Sequence, residues 1–370
     1  SNGTVRSTVL FYYGIGHLLA NDSRLNSDDA LRQTIQYRNG IKGDLAGTVN
    51  ASMSKQTVTD FMFDQGEERQ SRSQSFSRAS AITAKTTTFF SYNGYHELTD
   101  SYTYRGNWRN LKAAQDKDDN QHLQSYTKFS GDENEELSRY TISYGRRGET
   151  NVKSTTFFKY GAEDQLQSTT VYRGLVADTT AARTQAALKI RQITRYSGEQ
   201  GEERQWFQQD VRSNGTVRST VLFYYGIGHL LANNSSLNSD DALRQTVQYR
   251  SGIKGDLAGR INPAFMSKQT VTDFMFDQGE ERQYRSQGFS RANAITAKTT
   301  TFFSYNGYRE MTDSYTYRGD WRAFNDARKK EDNQHLQSRT HFTGNENEEL
   351  SRYTISYGRR GETNVKSTTF

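Results

Sequence analysis

Over short stretches of this chain, large apolar and polar side chains alternate: Tyr140, Ile142 and Tyr144 are interleaved with Arg139, Thr141 and Ser143. Tyr102 with Tyr104, and Phe158 with Tyr160, keep the same spacing. A period of two belongs to a strand with one buried face. Each run meets a Gly-bearing turn with acidic or polar residues, passes a Leu or Arg, and returns as a second strand. Thr155 to Gly161 leads through Glu163 and Asp164 to Leu166 and back to Tyr172, Arg173 and Gly174. Thr88 to Gly94 leads through Glu97 and Leu98 to Tyr104, Arg105 and Gly106. The predicted fold class is all-β, with stacked antiparallel hairpins forming a continuous sheet, solenoid or shell. Two stretches break the pattern and predict short helical insertions. They are Asn26 to Arg32, and the Ala-rich run from Asp178 to Ile190 with Asp178 as N-cap.

A larger period lies over the hairpins. Ser1 to Phe11 recurs unchanged from Ser213 to Phe223, and the match runs on to the end of the chain with one residue inserted near Pro263. Residues 1–212 form a first large repeat unit and 213–370 a second, truncated one. Phe370 matches Phe157, inside a strand-like run, which predicts an excerpt from a longer array. At the junction, Gln205 to Val211 and Thr216 to Phe223 are strand-like runs around Ser213, Asn214 and Gly215, and Asn-Gly is a strong hairpin signal. Trp206, Asn214 and Gly215 are therefore the expected junction residues, joining the copies by pairing instead of by a tether. At 107–119 the copies differ most, and a tolerant surface loop is expected.

Composition decides what can fill such a fold. Hydrophobic residues make up only 33% of the 370, while aromatics reach 12%, so the core must be largely aromatic. The expected aromatic rows contain Tyr92, Tyr104, Tyr140, Tyr144, Phe158, Tyr160 and Tyr172. Stacked in register, each cross-strand pair adds a few tenths to about 1 kcal/mol. The 29 Gly and single Pro suit tight turns between strands that keep their backbone donors. With no Cys, disulfides, thiol nucleophiles and thiolate metal sites are excluded. The net charge of +6 comes from interspersed signs, which favours solubility over a nucleic-acid footprint. No apolar run is long enough for a membrane span, and no signal peptide is visible at Ser1.

Motifs for chemistry are weak. The six histidines (His17, His96, His122, His229, His335 and His341) make no zinc-helix pair, and His96 is Arg309 in the second copy. Asp116, Asp118, Asp119 and Asn120 suggest a cation loop, but Arg328 to Asn333 puts cations at that position. The acidic pairs Glu67-Glu68, Glu135-Glu136, Glu202-Glu203 and Glu280-Glu281 recur at the turns and are expected as edge charges that discourage stray sheet pairing. Arg beside Tyr104, Tyr172 and Tyr317 is expected to lie over a neighbouring ring. Neither a phosphate loop nor a nucleophile elbow occurs, so no enzyme activity, cofactor or catalytic residue is expected.

The hairpin formula resembles the tyrosine-rich repeats of the RHS and YD-repeat family. Phe158-Lys159-Tyr160-Gly161 with Leu166, and Phe63-Asp64-Gln65-Gly66 with Arg69, carry the likeness. That resemblance implies long β-sheets wound into hollow shells. A second one, to the glucan- and choline-binding repeats of surface proteins, lacks their Trp pairs, since Trp108, Trp206 and Trp321 are single. The reading that follows is a structural repeat protein at the cell surface, part of a self-associating filament, tube or shell. Its expected partners are adjacent repeats of the same chain. The alternative is an adhesive module that binds polysaccharide; nucleic acid is not expected.

Overall fold

A computed structural model describes residues 5, 7–38, 53–77, 80–116, 122–146, 151–255, 267–329, 335–344, 349–358 and 365–370. The protein is all-β, with 23 strands and three six-residue α-helices among the described residues. Contacts divide it into two compact units, Ser1–Phe158 with Val171–Gln185, and Lys159–Thr170 with Ala186–Phe370. The repeat boundary at Ser213 falls inside the second unit.

Within the first unit, strands pair antiparallel with their successors. The order is Ser7–Tyr13, Leu31–Arg38, Ser54–Met62, Arg69–Ser77, Ser80–Tyr92, Leu98–Arg105, Leu123–Ser130, Leu137–Tyr144 and Val152–Tyr160. The second unit repeats this meander from Ile190–Ser197 through Arg204–Val211, Val217–Tyr225, Leu243–Arg250, Ser267–Met275, Arg282–Phe289, Ala297–Tyr305 and Met311–Arg318. It continues through Leu336–Thr343 and Leu350–Tyr357 to Val365–Thr369. Every one of these pairings carries a register shift, in most cases beside an aromatic residue, as at Ser91/Tyr92, Thr103/Tyr104 and Thr316/Tyr317. A bulge sets two residues against one, bends the strand and raises its twist, so simple alternation breaks at least once in each pairing, and twice between Arg69–Ser77 and Ser80–Tyr92.

The cores are thin and mixed. Phe207, Leu222, Val247, Tyr249, Val271, Phe289 and Ala297 cluster in the second unit; Leu10, Ile35, Tyr37, Val58, Phe76 and Ala84 cluster in the first. In each Phe-Phe pair the first ring is buried, Phe89, Phe157 and Phe302, and the second is half-buried.

Three sequence expectations need correction. Asn26 to Asp29 forms turns instead of a helix. Asp29 Oδ2 accepts from Asn26 N at 2.8 Å, and the strand begins at Leu31. Between 178 and 190 the helix is shorter than expected: α2 covers only Thr180–Gln185 (α1 is Leu111–Asp116 and α3 Phe324–Lys329), with a 3-10 turn at Ala187–Lys189. Thr179 Oγ1, and not Asp178, accepts from Ala182 N. The described part of the stretch 107–119, residues 107–116, is no free loop, because α1 seats Ala114 at 0% exposure against Phe89, Tyr104 and Leu123. Its counterpart Ala327 in α3 is equally buried. The copies differ here because Leu111 and Phe324 fill the same place with different volumes. Asp118, Asp119 and Asn120 lie outside the described residues.

Candidate functional surface

Aromatic rings in the first unit form one row across five strands. Tyr102, Tyr126, Tyr140, Phe157 and Tyr172 follow one another at ring-centroid distances of 5.0, 6.0, 5.9 and 5.7 Å. Of the residues expected in rows, Tyr140 and Tyr172 stand in this one. Tyr104 is buried beside Phe89 and Trp108, with Tyr144 packed on the same cluster, and Tyr92 meets Phe63 edge-on at 5.6 Å. Phe158 and Tyr160 are half-buried, and Phe157 takes the place in the row. Burial pushes the Tyr104 hydroxyl up to about 12 and raises that of Tyr126, where an Asp100 hydrogen bond adds to the effect. These phenols stay protonated donors.

The charged residues are built into the ladder as clamps. Glu68 Oε1 accepts from Leu31 N, Glu136 Oε1 from Leu98 N, Glu203 Oε1 from Leu166 N, Glu281 Oε1 from Leu243 N and Glu349 Oε1 from Met311 N, all between 2.7 and 3.1 Å. In each case a carboxylate at one turn caps the first amide of the preceding return strand. This corrects the expectation of edge charges, since the second Glu of each pair is an internal acceptor. At the opposite end, Arg38 donates to the carbonyls of Lys55 and Phe76, and Arg250 to those of Lys268 and Phe289. Arg105 and Arg318 bridge Leu123 with Gly145 and Leu336 with Gly358 in the same way. Arg105 and Arg318, expected over aromatic rings, therefore tie backbone carbonyls of two following strands.

Four of the six histidines, His96, His122, His335 and His341, pack on aromatic rings, while His17 and His229 are exposed. His96 stacks on Phe63 at 4.0 Å and approaches Glu67, while Arg309, its counterpart, lies over Phe276 and pairs with Glu280. His122 and His335 meet Trp108 and Trp321 edge-on, each at 5.3 Å. Among the described residues no cluster of His, Asp and Glu could hold a metal ion. No helix among them is long and apolar enough to cross a membrane.

At the repeat junction, Arg204–Val211 pairs with Val217–Tyr225 from Phe207↔Leu222 to Val211↔Val217. Arg212 N donates to Thr216 O at 2.8 Å and Gly215 N to Arg212 O at 3.0 Å. Asn214 Oδ1 accepts from Thr216 N, and Gly215 turns the chain at φ +82, a left-handed position that suits Gly. Trp206 meets the Phe207 ring edge-on at 5.4 Å. Nearby, an open groove of about 710 Å³ is lined from strands 217–225, 243–250, 267–275 and 282–289. Val247, Val271 and Phe289 form its apolar floor.

No family model matches the chain, and no curated protein sequence does. Among solved structures, it is similar to a chain of TcdB2-TccC3-TEV at 9% identity and a TM-score of 0.27, over 96% of this chain and 18% of that one. The Photorhabdus luminescens Tc holotoxin pore gives 11% identity and a TM-score of 0.28 over 100% and 18%. A porin-like protein from Bacteroides uniformis ATCC 8492 gives 9% and 0.24 over 95% and 96%. The chain thus spans under a fifth of the length of the two toxin chains. At such identities and scores, nothing those proteins do is carried to this one.

Sequence reading missed the clamps, although their signal was present. Each Glu-Glu recurs one hairpin after a Leu or Met that opens a return strand, and each Arg follows the Tyr that closes one. The groove had no such signal, because its walls come from residues spread between 224 and 322.

Proposed function

We propose that this chain is a structural repeat protein, a stretch of an extended filament, tube or shell-like wall at the cell surface, whose copies add by strand pairing. One observation carries the reading. The last strand of the first copy, Arg204–Val211, is paired with the first strand of the second, and Phe207 shares a core with Leu222 and Val247. A copy therefore ends by covering the strand that opens the next. The same opening strand in the first copy, Ser7–Tyr13, has described partners along one side only, and its Val9 and Phe11 stand 42% and 46% exposed. Their counterparts Val221 and Phe223 are half-buried. The natural partner of such an edge is another copy, in the same chain or a neighbouring one, and growth in length then comes from copy number. The clamps and rows are structural, so no catalysis is expected.

Chains of one, two and three complete copies, compared by small-angle scattering and negative-stain imaging, test this. A constant increment of length per copy is the expected result. Separate beads on a tether, with the amides of 205–223 exchanging freely, would overturn it.

A further inference from the structure

The groove of the second unit presents donors that the described structure does not use. Among the described residues, the hydroxyls of Tyr224 and Tyr249 have no hydrogen-bond partner. Lys268 Nζ makes no ion pair there and rests over the Phe289 ring, 5.9 Å from its centroid. The exposed Arg322 side chain is likewise unpaired among those residues. The wall behind them is satisfied: Arg285 is held by Asp273 at 2.7 Å and by the Arg322 carbonyl at 2.9 Å, and Gln287 Nε2 donates to Asp320 Oδ1. Asp320 is the one carboxylate among the lining residues, and it is already engaged. What remains free, beside the exposed imidazole of His229, is two phenol donors and two cations above an apolar floor.

The first unit carries the same set. Tyr12, Tyr37, Lys55 and Arg109 stand at the matching positions. Arg72 is held by Asp60 at 2.6 Å and by the Arg109 carbonyl at 2.9 Å, and Gln74 donates to Asn107 at 2.7 Å. Asn107 replaces Asp320, so the wall carboxylate is dispensable while the donors and cations recur. In each unit burial raises the phenols, Tyr224 to about 12, and at neutral pH they are donors, as an ordinary phenol is.

We propose that this groove, once per large repeat, binds an acidic oligosaccharide. The half-buried Tyr224 ring packs against the C–H face of a pyranose, its hydroxyl and that of the buried Tyr249 donate to sugar oxygens, and Lys268 and Arg322 take the carboxylates. A groove of some 710 Å³ lies within the range of built ligand sites, and its open form lets a polymer pass through. This reading is independent of sheet extension, which is measured by length and not by binding.

Titration calorimetry on the full chain would use oligogalacturonate, its methyl-esterified form, oligomannuronate and hyaluronate, with an oligo-dT strand as the rival polyanion. Saturable binding of at least one acidic glycan at two sites per chain is expected, with the ester at least tenfold weaker than the free acid. Replacing Lys268 and Arg322 by Ala, with the melt unchanged, should leave one site per chain, and adding Lys55→Ala and Arg109→Ala should leave none. Tyr249→Phe should weaken its site severalfold. The proposal is overturned if no acidic glycan saturates, if oligo-dT binds as tightly at the same salt, or if the fourfold variant binds as the parent does.

Discussion

Replacing Glu203 by Ala removes one clamp and nothing else of size. Its carboxylate accepts from Leu166 N at 2.7 Å and from Gly201 N at 3.0 Å. A hydrogen bond to a charged group contributes about 1.5–3 kcal/mol where water is excluded. Gly201 sits on an exposed turn, where water replaces the lost acceptor at small cost. Leu166 is half-buried at the start of a strand, so its amide carries most of the effect, about 1.5–2 kcal/mol in all. Glu203→Gln keeps one acceptor but turns a donor toward the second amide, and about 1 kcal/mol is expected. Native-state hydrogen exchange reads this directly, since 1.4 kcal/mol is a factor of ten in local opening. The Leu166 amide of the Ala variant should exchange roughly 10–30 times faster than that of the parent, and that of the Gln variant about fivefold faster. If Leu166 stays as protected in the Ala variant as in the parent, the clamp is an ornament of the turn and the reasoning fails.

Acid should weaken the first unit through two carboxyls. Burial tends to raise Glu68 and Asp100, but hydrogen bonds to Glu68 from backbone amides including Leu31 and Gly66, and to Asp100 from Tyr126, Thr99 and Lys128, hold both below their ordinary values. Their stabilisation is therefore present above the ordinary carboxylate range and is lost as pH falls through the lowered values. Melting curves from pH 6 to pH 3 should flatten in Glu68→Gln and Asp100→Asn. Thr300→Val should cost about 2–4 kcal/mol in urea denaturation, because Thr300 is fully buried, donates to Gly319 O and accepts from Trp321 N. Ala114→Leu should cost about 1–3 kcal/mol by overpacking, where a surface loop would tolerate it. Tyr140→Ala, which breaks the ring row at its middle, should cost about 2 kcal/mol, and an unchanged melt would count against the row.

Strand and turn were legible because their signals are local. Alternation through Tyr140, Ile142 and Tyr144, with Asn214-Gly215 at the junction, suffices for hairpins and for the pairing across Ser213. The bulges were not legible, since they depend on which residue of the partner strand lies opposite. For the same reason the sequence points to Phe158 where the structure places Phe157: both fit an alternating run, and only register shows which faces the core. The segment 107–119 misled because variation between copies resembles tolerance, whereas Leu111 and Phe324 are two ways of filling one space. Asn26 to Arg32 reads as a short helix and Asp178 as a helix-starting residue, but in the structure Asp29 holds a turn and Asp178 pairs with Arg139. The groove escaped because its donors come from strands that touch only after folding.

The clamps also bear on how such a chain folds as it is made. Each Glu that caps a return strand lies 37 or 38 residues downstream of the amide it receives, and the second carbonyl that each clamping Arg reaches lies 38–40 residues downstream. A hairpin emerging during synthesis thus stays unclamped until its successor has appeared, so order advances from the N-terminus with a lag of one hairpin. Loss of a whole hairpin pitch leaves every donor with an equivalent acceptor, whereas loss of half a pitch strands a carboxylate and a guanidinium together. Arrays held this way can lengthen or shorten in whole steps and resist change in any other increment.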